Sequence, residues 1–303
     1  MEIAQLRYFV AVCEERSFTK AAERLHVVQS ALSTQVAKLE AETRAQLLER
    51  SNRGVRLTPA GEVLLARARR ILTEVDEAGA AMASLRGTLT GVLRVGVINV
   101  VGQSAPQVDE ALAAFHERHP LVEIRIHDPG SRGIVEELRA GTMDVGLVGY
   151  YAHDVPAELS HRVLTDHALV AVVHTRHPLA DRGSVTLAEL ARQGPGVELR
   201  AASGLRHYVD EAFASVGVRR QVAFEVATTD ESIRYASLGM GFALVPEPTV
   251  APGLLRSRVA VLQVADVELR HPVALVHRSP APTSPAARVL IAEIIARAEL
   301  PSG

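Results

Sequence analysis

Along the first sixty residues the apolar positions recur at helical spacing. Leu6, Phe9, Val10 and Cys13 stand at i, i+3, i+4 and i+7, which predicts a helix with one apolar face ending near Glu15. Thr19 is a fair N-cap for a second helix over TKAAERL, whose Ala21, Ala22 and Leu25 permit close approach. Residues 26–28 read as a turn. A third helix over residues 29–41 turns Leu32, Val36 and Leu39 inward and leaves Gln29, Ser30, Ser33, Thr34 and Lys38 on a polar, hydrogen-bonding face. The segment ERSNRGVRLTPAG then places Arg50, Arg53 and Arg56 around an Asn-Arg-Gly turn, and the alternation of Val55 and Leu57 predicts a small hairpin.

The next helix has the clearest period in the chain. Thr58 is its cap and Pro59 its first residue. Leu64, Ala68, Ile71, Val75, Ala78, Met82 and Leu85 follow at alternating spacings of four and three, a heptad seam. Charged residues cover the other faces, so a narrow stripe seeks burial. That predicts a dimerisation helix, with a core helix of one domain as the alternative. Residues 87–91 (GTLTG) read as a hinge. Beyond them strands alternate with helices: strands at 92–98, 122–127 and 143–149, helices at 104–118 and 131–140, then a second set with helices at 205–216 and 230–238 and strands at 222–226 and 241–245. A strand at 271–277 and a helix at 286–298 end the pattern. The predicted class is α/β overall: an all-α winged helix-turn-helix (1–58), a linker helix and hinge (59–90), and two α/β subdomains (91–161 plus 266–303, and 162–265) with a cleft between them.

Two short helices joined by a tight turn, the second with an exposed polar face, form the arrangement that sets a recognition helix into the major groove, although any helical bundle also exposes polar faces. The three arginines of the hairpin favour the nucleic-acid reading, because cations at a hairpin tip reach phosphates or the minor groove. The net charge of −2 excludes a blanket polyanion binder, but residues 1–58 carry nine Lys or Arg against seven Asp or Glu. A single cysteine excludes an internal disulfide and a multi-cysteine metal site, and Cys13 reads as core packing. No run of about 18 apolar residues is present and the first residues lack a signal-peptide pattern, so the expected location is the cytoplasm, with no membrane partner. The pairs His116/His119 and His174/His177 lack further ligands of obvious spacing for zinc, and Gly239-Met-Gly241 is no dinucleotide loop. With no G-x-S-x-G or Walker sequence either, the chain reads as neither an enzyme nor the holder of a cofactor.

LRYFVAVCEERSFTKAAERLHVVQSALSTQVAKLE followed by LLERSNRGVRLTPAGE resembles the DNA-binding domain of LysR-type transcription regulators over about 65 residues. LRVGV, LRAGTMDVGLVG and SLGMGFALVPE resemble the same family's periplasmic-binding-like effector domain. The resemblance implies a sequence-specific transcription regulator acting as a homodimer or homotetramer on an imperfectly palindromic operator, contacting RNA polymerase at promoters and controlled by a small-molecule effector. DNA contacts then fall to Gln29, Ser30, Ser33, Thr34, Lys38, Arg50, Arg53 and Arg56. Departures from the family pattern are Val28 for a usual serine cap, with Ser30 expected to start the helix instead, Thr34 for a common arginine, Leu48 for phenylalanine and Arg44 for glycine.

In the effector domain the loops after strands and before helices are expected to line the cleft, through Asn99, Val100, Gln103 and Ser104, through Gly130, Ser131 and Arg132, through Ala202, Ser203 and Arg206, and through Thr228 and Thr229. Helix starts with Arg132 and Arg206 nearby favour a small organic anion such as a carboxylate, unless these polar residues serve only as helix caps. An enzyme on the same two-subdomain fold, a secreted solute receptor and a non-DNA-binding adaptor are the competing readings.

Overall fold

The computed structural model describes residues 1–51, 54–85, 88–99, 101–149, 155–201, 203–250, 256–279 and 284–299, without the side chains of Arg50, Ser51 and Arg256. They form two compact units, one essentially residues 1–87 and the other essentially residues 88–303.

The first unit runs α1 (Ile3–Glu15), α2 (Phe18–Arg24), α3 (Gln29–Thr43), β1 (Leu48–Ser51), β2 (Gly54–Leu57) and α4 (Pro59–Ser84). Leu6, Phe9 and Val12 of α1 close on Ala21 and Ala22 of α2, on Leu32, Val36 and Leu39 of α3 and on Ala68 of α4. Each large side chain enclosed in this way contributes about 1.5–3 kcal/mol. Strands β1 and β2 pair antiparallel, Leu48 opposite Leu57 and Ser51 opposite Gly54, as the wing pattern predicts.

Two helix starts differ from expectation. Ser17, not Thr19, caps α2, its hydroxyl accepting from the Lys20 N–H at 3.3 Å. The chain has already turned at Arg16, which is left-handed at φ 50°, so the helix starts at once. Ser30 does not take over as the start of α3. The helix begins at Gln29 with an extended Val28 as N-cap and no side-chain capping bond. The preceding turn is pinned by the Val27 N–H on the Ala22 carbonyl at 3.0 Å, and Val28 already accepts from the Leu32 N–H at 3.1 Å. Tertiary placement of the turn thus overrides the side-chain preference.

Thr58 caps α4 through the Gly61 N–H at 3.0 Å, and Pro59 opens the helix as predicted. The seam divides along its length. Leu64, Ala68 and Ile71 pack on the core of this unit, whereas Val75, Met82 and Leu85 are 38%, 59% and 81% exposed. The first half is therefore a core helix, and the second half keeps an uncovered apolar stripe.

The second unit runs β3 (Gly91–Val97), α5 (Val101–Ser104), α6 (Gln107–Arg118), β4 (Val122–His127), α7 (Gly130–Ala140), β5 (Val145–Gly149), β6 (Leu159–His174), β7 (Ser184–Val185), α8 (Leu187–Gln193), β8 (Gly196–Leu199), α9 (Gly204–Ser215), β9 (Val222–Val226), α10 (Thr229–Ala236), β10 (Ala243–Pro246), β11 (Val259–Val264), β12 (Arg270–Arg278) and α11 (Pro285–Ala298). The helix expected over 104–118 is broken into α5 and α6. Pro106 disfavours helical geometry at Ala105 and ends the first turn.

Strand β3 lies between β4 and β5 and parallel to both, and β12 extends this sheet antiparallel beside β5. Strand β6 joins two packing regions. It pairs with β12 from Leu159 to Ala168, and from Leu169 onward with β10 and β11. The chain returns between Val264 and Arg270. The change of partner therefore falls at 168/169, several residues past the expected 161/162 boundary, because one uninterrupted strand serves both halves. One core gathers Leu93, Phe115, Leu275, Leu290 and Ile294; the other gathers Val173, Leu190, Phe213, Phe242 and Leu262.

Candidate functional site

In the first unit the polar face of α3 is positioned by the burial of Leu32, Val36 and Leu39 behind it. Gln29, Ser30, Thr34 and Lys38 are exposed and Ser33 is half-buried. The Thr34 hydroxyl donates to the Ser30 carbonyl at 2.9 Å, which fixes its rotamer and turns its lone pairs outward. Arg56 is exposed on β2, opposite Glu49. Arg50 stands in β1 with its side chain outside the described atoms, and Arg53 lies outside the described residues. Val28, at the leading end of α3, is 70% exposed.

Two further contacts hold the wing to the helices. Glu40 Oε1 accepts from the N–H groups of Leu47 and Leu48 at 2.8 and 3.1 Å. The Val55 N–H donates to the Arg16 carbonyl at 3.1 Å. Sequence reasoning missed both, and neither has a local signal, since each links residues that the fold brings together.

In the second unit a cavity of about 230 Å³ opens between the two α/β subdomains. Of the residues expected there, Asn99, Gly130, Ser131 and Ser203 line it. Val100 and Ala202 lie outside the described residues. The others do other work. Gln103 is exposed on α5, and Ser104 is buried with its carbonyl 2.9 Å from Nε2 of His167. Arg132 is solvent-exposed beside Glu136. Thr228 caps α10 through the Glu231 N–H at 3.2 Å, and Thr229 is buried beneath the same helix start. Arg206, expected to supply positive charge, is taken up by an ion cluster: its Nε lies 2.9 Å from Glu198 and 3.0 Å from Asp210, and Arg220 bonds the same two carboxylates. Burial raises the Asp210 carboxyl, but hydrogen bonds from Arg206 and Arg220 outweigh it and hold the pKa below the usual carboxylate range.

The cavity draws its chemistry from other groups. Helix α9 enters with Ser203 as an extended N-cap that makes no side-chain capping bond, and Arg200 lines the wall beside it. Helix α7 enters from the opposite subdomain. Its first N–H, from Gly130, donates to Asp128 Oδ1 at 2.8 Å, and the Ser131 hydroxyl accepts from the Gly149 N–H at 3.2 Å. Helix N-termini concentrate partial positive charge and attract anions; Asp128 offsets part of it at one rim. Asn99 Nδ2 donates across the cleft to the Ala227 carbonyl at 3.3 Å. His271, which sequence reasoning also missed, forms part of the lining from the start of β12. Among the described residues no group of three His, Cys, Asp or Glu side chains is placed to hold a metal ion. No helix among them is long and apolar enough to cross a membrane.

Comparison with known proteins covers both units. The family described as bacterial regulatory helix-turn-helix protein, lysR family, matches residues 3–62, and the LysR substrate binding domain matches residues 86–299. The uncharacterized HTH-type transcriptional regulator YnfL of Escherichia coli (strain K12) is 36% identical over 255 residues, covering 81% of this chain and 82% of that protein. The RuBisCO operon transcriptional regulator of Allochromatium vinosum is 31% identical over 288 residues, covering 95% and 93%. Among solved structures, full-length OxyR from Pseudomonas aeruginosa superposes with a TM-score of 0.72 at 26% identity, covering 97% of this chain and 94% of that one.

Proposed function

Because the chain belongs to the LysR family of DNA-binding transcription regulators, whose activity an effector modulates, we propose that it reads an interrupted inverted repeat with two copies of α3 and responds to a small organic anion. The protein is a regulator rather than an enzyme. Gln29, Ser30, Ser33 and Thr34 face base edges, while Lys38, Arg50, Arg53 and Arg56 hold phosphates or enter the minor groove. A twofold oligomer, a homodimer or a homotetramer, delivers two recognition helices to two half-sites. The uncovered stripe of Val75, Ala78 and Met82 supports α4 as one place where copies meet. Its site of action is the cytoplasm, at promoters engaged by RNA polymerase.

The anion reading rests on the α9 N-terminus, uncapped by its own Ser203 side chain and set beside Arg200 on the cavity wall. A cavity of about 230 Å³ lies below the range of roughly 300–1,000 Å³ common for drug-sized ligands, which favours a small one. Binding changes transcription to the extent that it favours one arrangement of the oligomer over another.

Two experiments test this. Footprinting on the DNA upstream of its own coding region should show protection over an interrupted inverted repeat. That protection should weaken steeply with salt and disappear in Ser33→Ala and Arg53→Ala; binding indifferent to sequence would overturn the operator reading. Calorimetric titration with carboxylates and matched neutral amides should show heat with the carboxylates. Binding confined to the amides would overturn the anion reading.

A further inference from the structure

Two local preferences are broken at one residue of the recognition helix. Val28 is the N-cap of α3, extended at φ −74° and ψ 131°, and it makes no side-chain capping bond. It forgoes the bond that a serine, threonine, aspartate or asparagine oxygen would accept from the first N–H groups of the helix. Val28 is also 70% exposed, the one large apolar side chain left open at α3 among the described residues. Sequences depart from local preference chiefly where function requires another residue type.

The backbone holds this side chain outward. Val27 packs on the core of the unit, and its N–H donates to the Ala22 carbonyl at 3.0 Å. The Val28 carbonyl accepts from the Leu32 N–H at 3.1 Å. The isopropyl group is thereby fixed at the leading end of α3, and β-branching leaves it few rotamers to lose on contact. His26, Gln29 and Ser30 beside it are exposed. One valine in such polar surroundings offers far less than the roughly 800 Å² per partner that a stable protein interface buries.

Residues that open a recognition helix meet base edges in the major groove. The groups within reach there are phosphate and sugar oxygens, the donors and acceptors of the bases, and one apolar group, the C5-methyl of thymine. An isopropyl group set against a polar atom would desolvate it and return no hydrogen bond. The methyl is the group that it matches.

We propose that Val28 is a specificity-determining residue of this regulator, taking the C5-methyl of a thymine in each operator half-site. The inference rests on α3 as the recognition helix and adds a named base to that reading.

The test starts from duplexes that the full-length protein selects out of a random-sequence pool. Each thymine of the selected half-sites is replaced singly by deoxyuridine, which removes the methyl and leaves the pairing intact, and affinity is read by fluorescence anisotropy. At one thymine the replacement should weaken wild-type binding about fourfold, the worth of one buried methyl-sized group, and about fifteenfold when made in both half-sites. Val28→Ala and Val28→Ser should bring that ratio to about one, and Val28→Ile should retain it. The serine variant gains a cap, so a loss of the ratio there does not come from a weakened helix. Half-sites without a thymine, or a uracil effect that is the same in wild type, Val28→Ala and Val28→Ser at every position, overturn the assignment and leave α3 as the recognition helix. A pool that enriches no sequence, or an enriched sequence that Ser33→Ala and Gln29→Ala bind as tightly as wild type, overturns both.

Discussion

Glu40 Oε1 accepts from the main-chain N–H of Leu47 at 2.8 Å, so a carboxylate near the end of the recognition helix holds the loop that leads into the wing. The same oxygen also takes the Leu48 N–H. Two donors thus depend on one side chain, and hydrogen bonds to a charged acceptor are worth about 1.5–3 kcal/mol. Glu40→Ala should lower stability by about 2 kcal/mol in urea denaturation and weaken operator binding through a displaced wing. Glu40→Gln, which keeps the acceptor but not the charge, should lose roughly half as much. Equal stability of the alanine variant would mean that water replaces the carboxylate without cost.

Gly61 is the contact point between α4 and the loop before the wing. A Cβ there would overlap the Leu47 carbonyl oxygen outright and come within 2.9 Å of Leu57 Cδ2. The obstructing atom is main chain, so no side-chain rotation relieves it. Gly61→Ala is expected to destabilise the first unit by about 1–3 kcal/mol or more, although alanine is the better helix former. A thermal melt followed by circular dichroism decides between the steric term and the propensity term, which have opposite signs.

Val28 occupies an N-cap position without offering an acceptor. Its φ of −74° and ψ of 131° suit serine equally well. Val28→Ser should therefore stabilise α3 by about 1 kcal/mol, visible as a higher melting temperature of the first unit. An unchanged melting temperature would show that solvent already satisfies those N–H groups.

Arg44 ends α3 in the left-handed region at φ 51°. A side chain there costs about 1–2 kcal/mol relative to right-handed backbone, a cost that glycine does not carry. Part of the gain is lost to the larger entropy of an unfolded glycine, so Arg44→Gly should raise stability by up to about 1 kcal/mol. If the variant is instead less stable, the exposed guanidinium contributes more than the backbone strain removes.

Much of this architecture was legible because short-range pattern carried it. The spacing of Leu32, Val36 and Leu39 placed the recognition helix, and the strand at 222–226 is observed as β9 at the expected residues. Asn99, Gly130, Ser131 and Ser203 line the cavity because they follow strands or start helices, positions that a βα alternation sends to one edge of a sheet. What stayed hidden depends on distant pairing. Nothing local says that β6 runs unbroken for 16 residues through both subdomains, or that β12 returns beside it in register with His271 opposite His167. His271 and Gly149 reach the cavity only through that register. Arg206 looked available because its buried partner Glu198 comes from β8, and Arg220, which binds the same carboxylates, from the loop after α9; only Asp210, four residues on in α9, was a local signal.

His271 also ties stability to pH with a definite sign. An unfolded histidine has a pKa near 6.5, whereas burial brings the folded value down to about 4, opposed by a hydrogen bond to its own main chain and by Asp166, with His167 adding to the fall. Between those values the unfolded chain binds a proton that the folded chain does not. Stability therefore rises with pH across the window, and the contribution present above about pH 6.5 is lost as pH falls toward 4. At about 1.36 kcal/mol per unit, the difference between pH 7.5 and pH 5 should be about 2 kcal/mol. Urea denaturation of the full chain at the two pH values, compared with His271→Gln, isolates it. His177, also lowered by burial, acts in both proteins and cancels. The depressed carboxylates, Asp210 among them, titrate below this range. Wild type should lose more stability than the variant on acidification. Parallel losses would place a proton on His271 already at pH 5, and burial would then not hold the ring neutral in the folded chain.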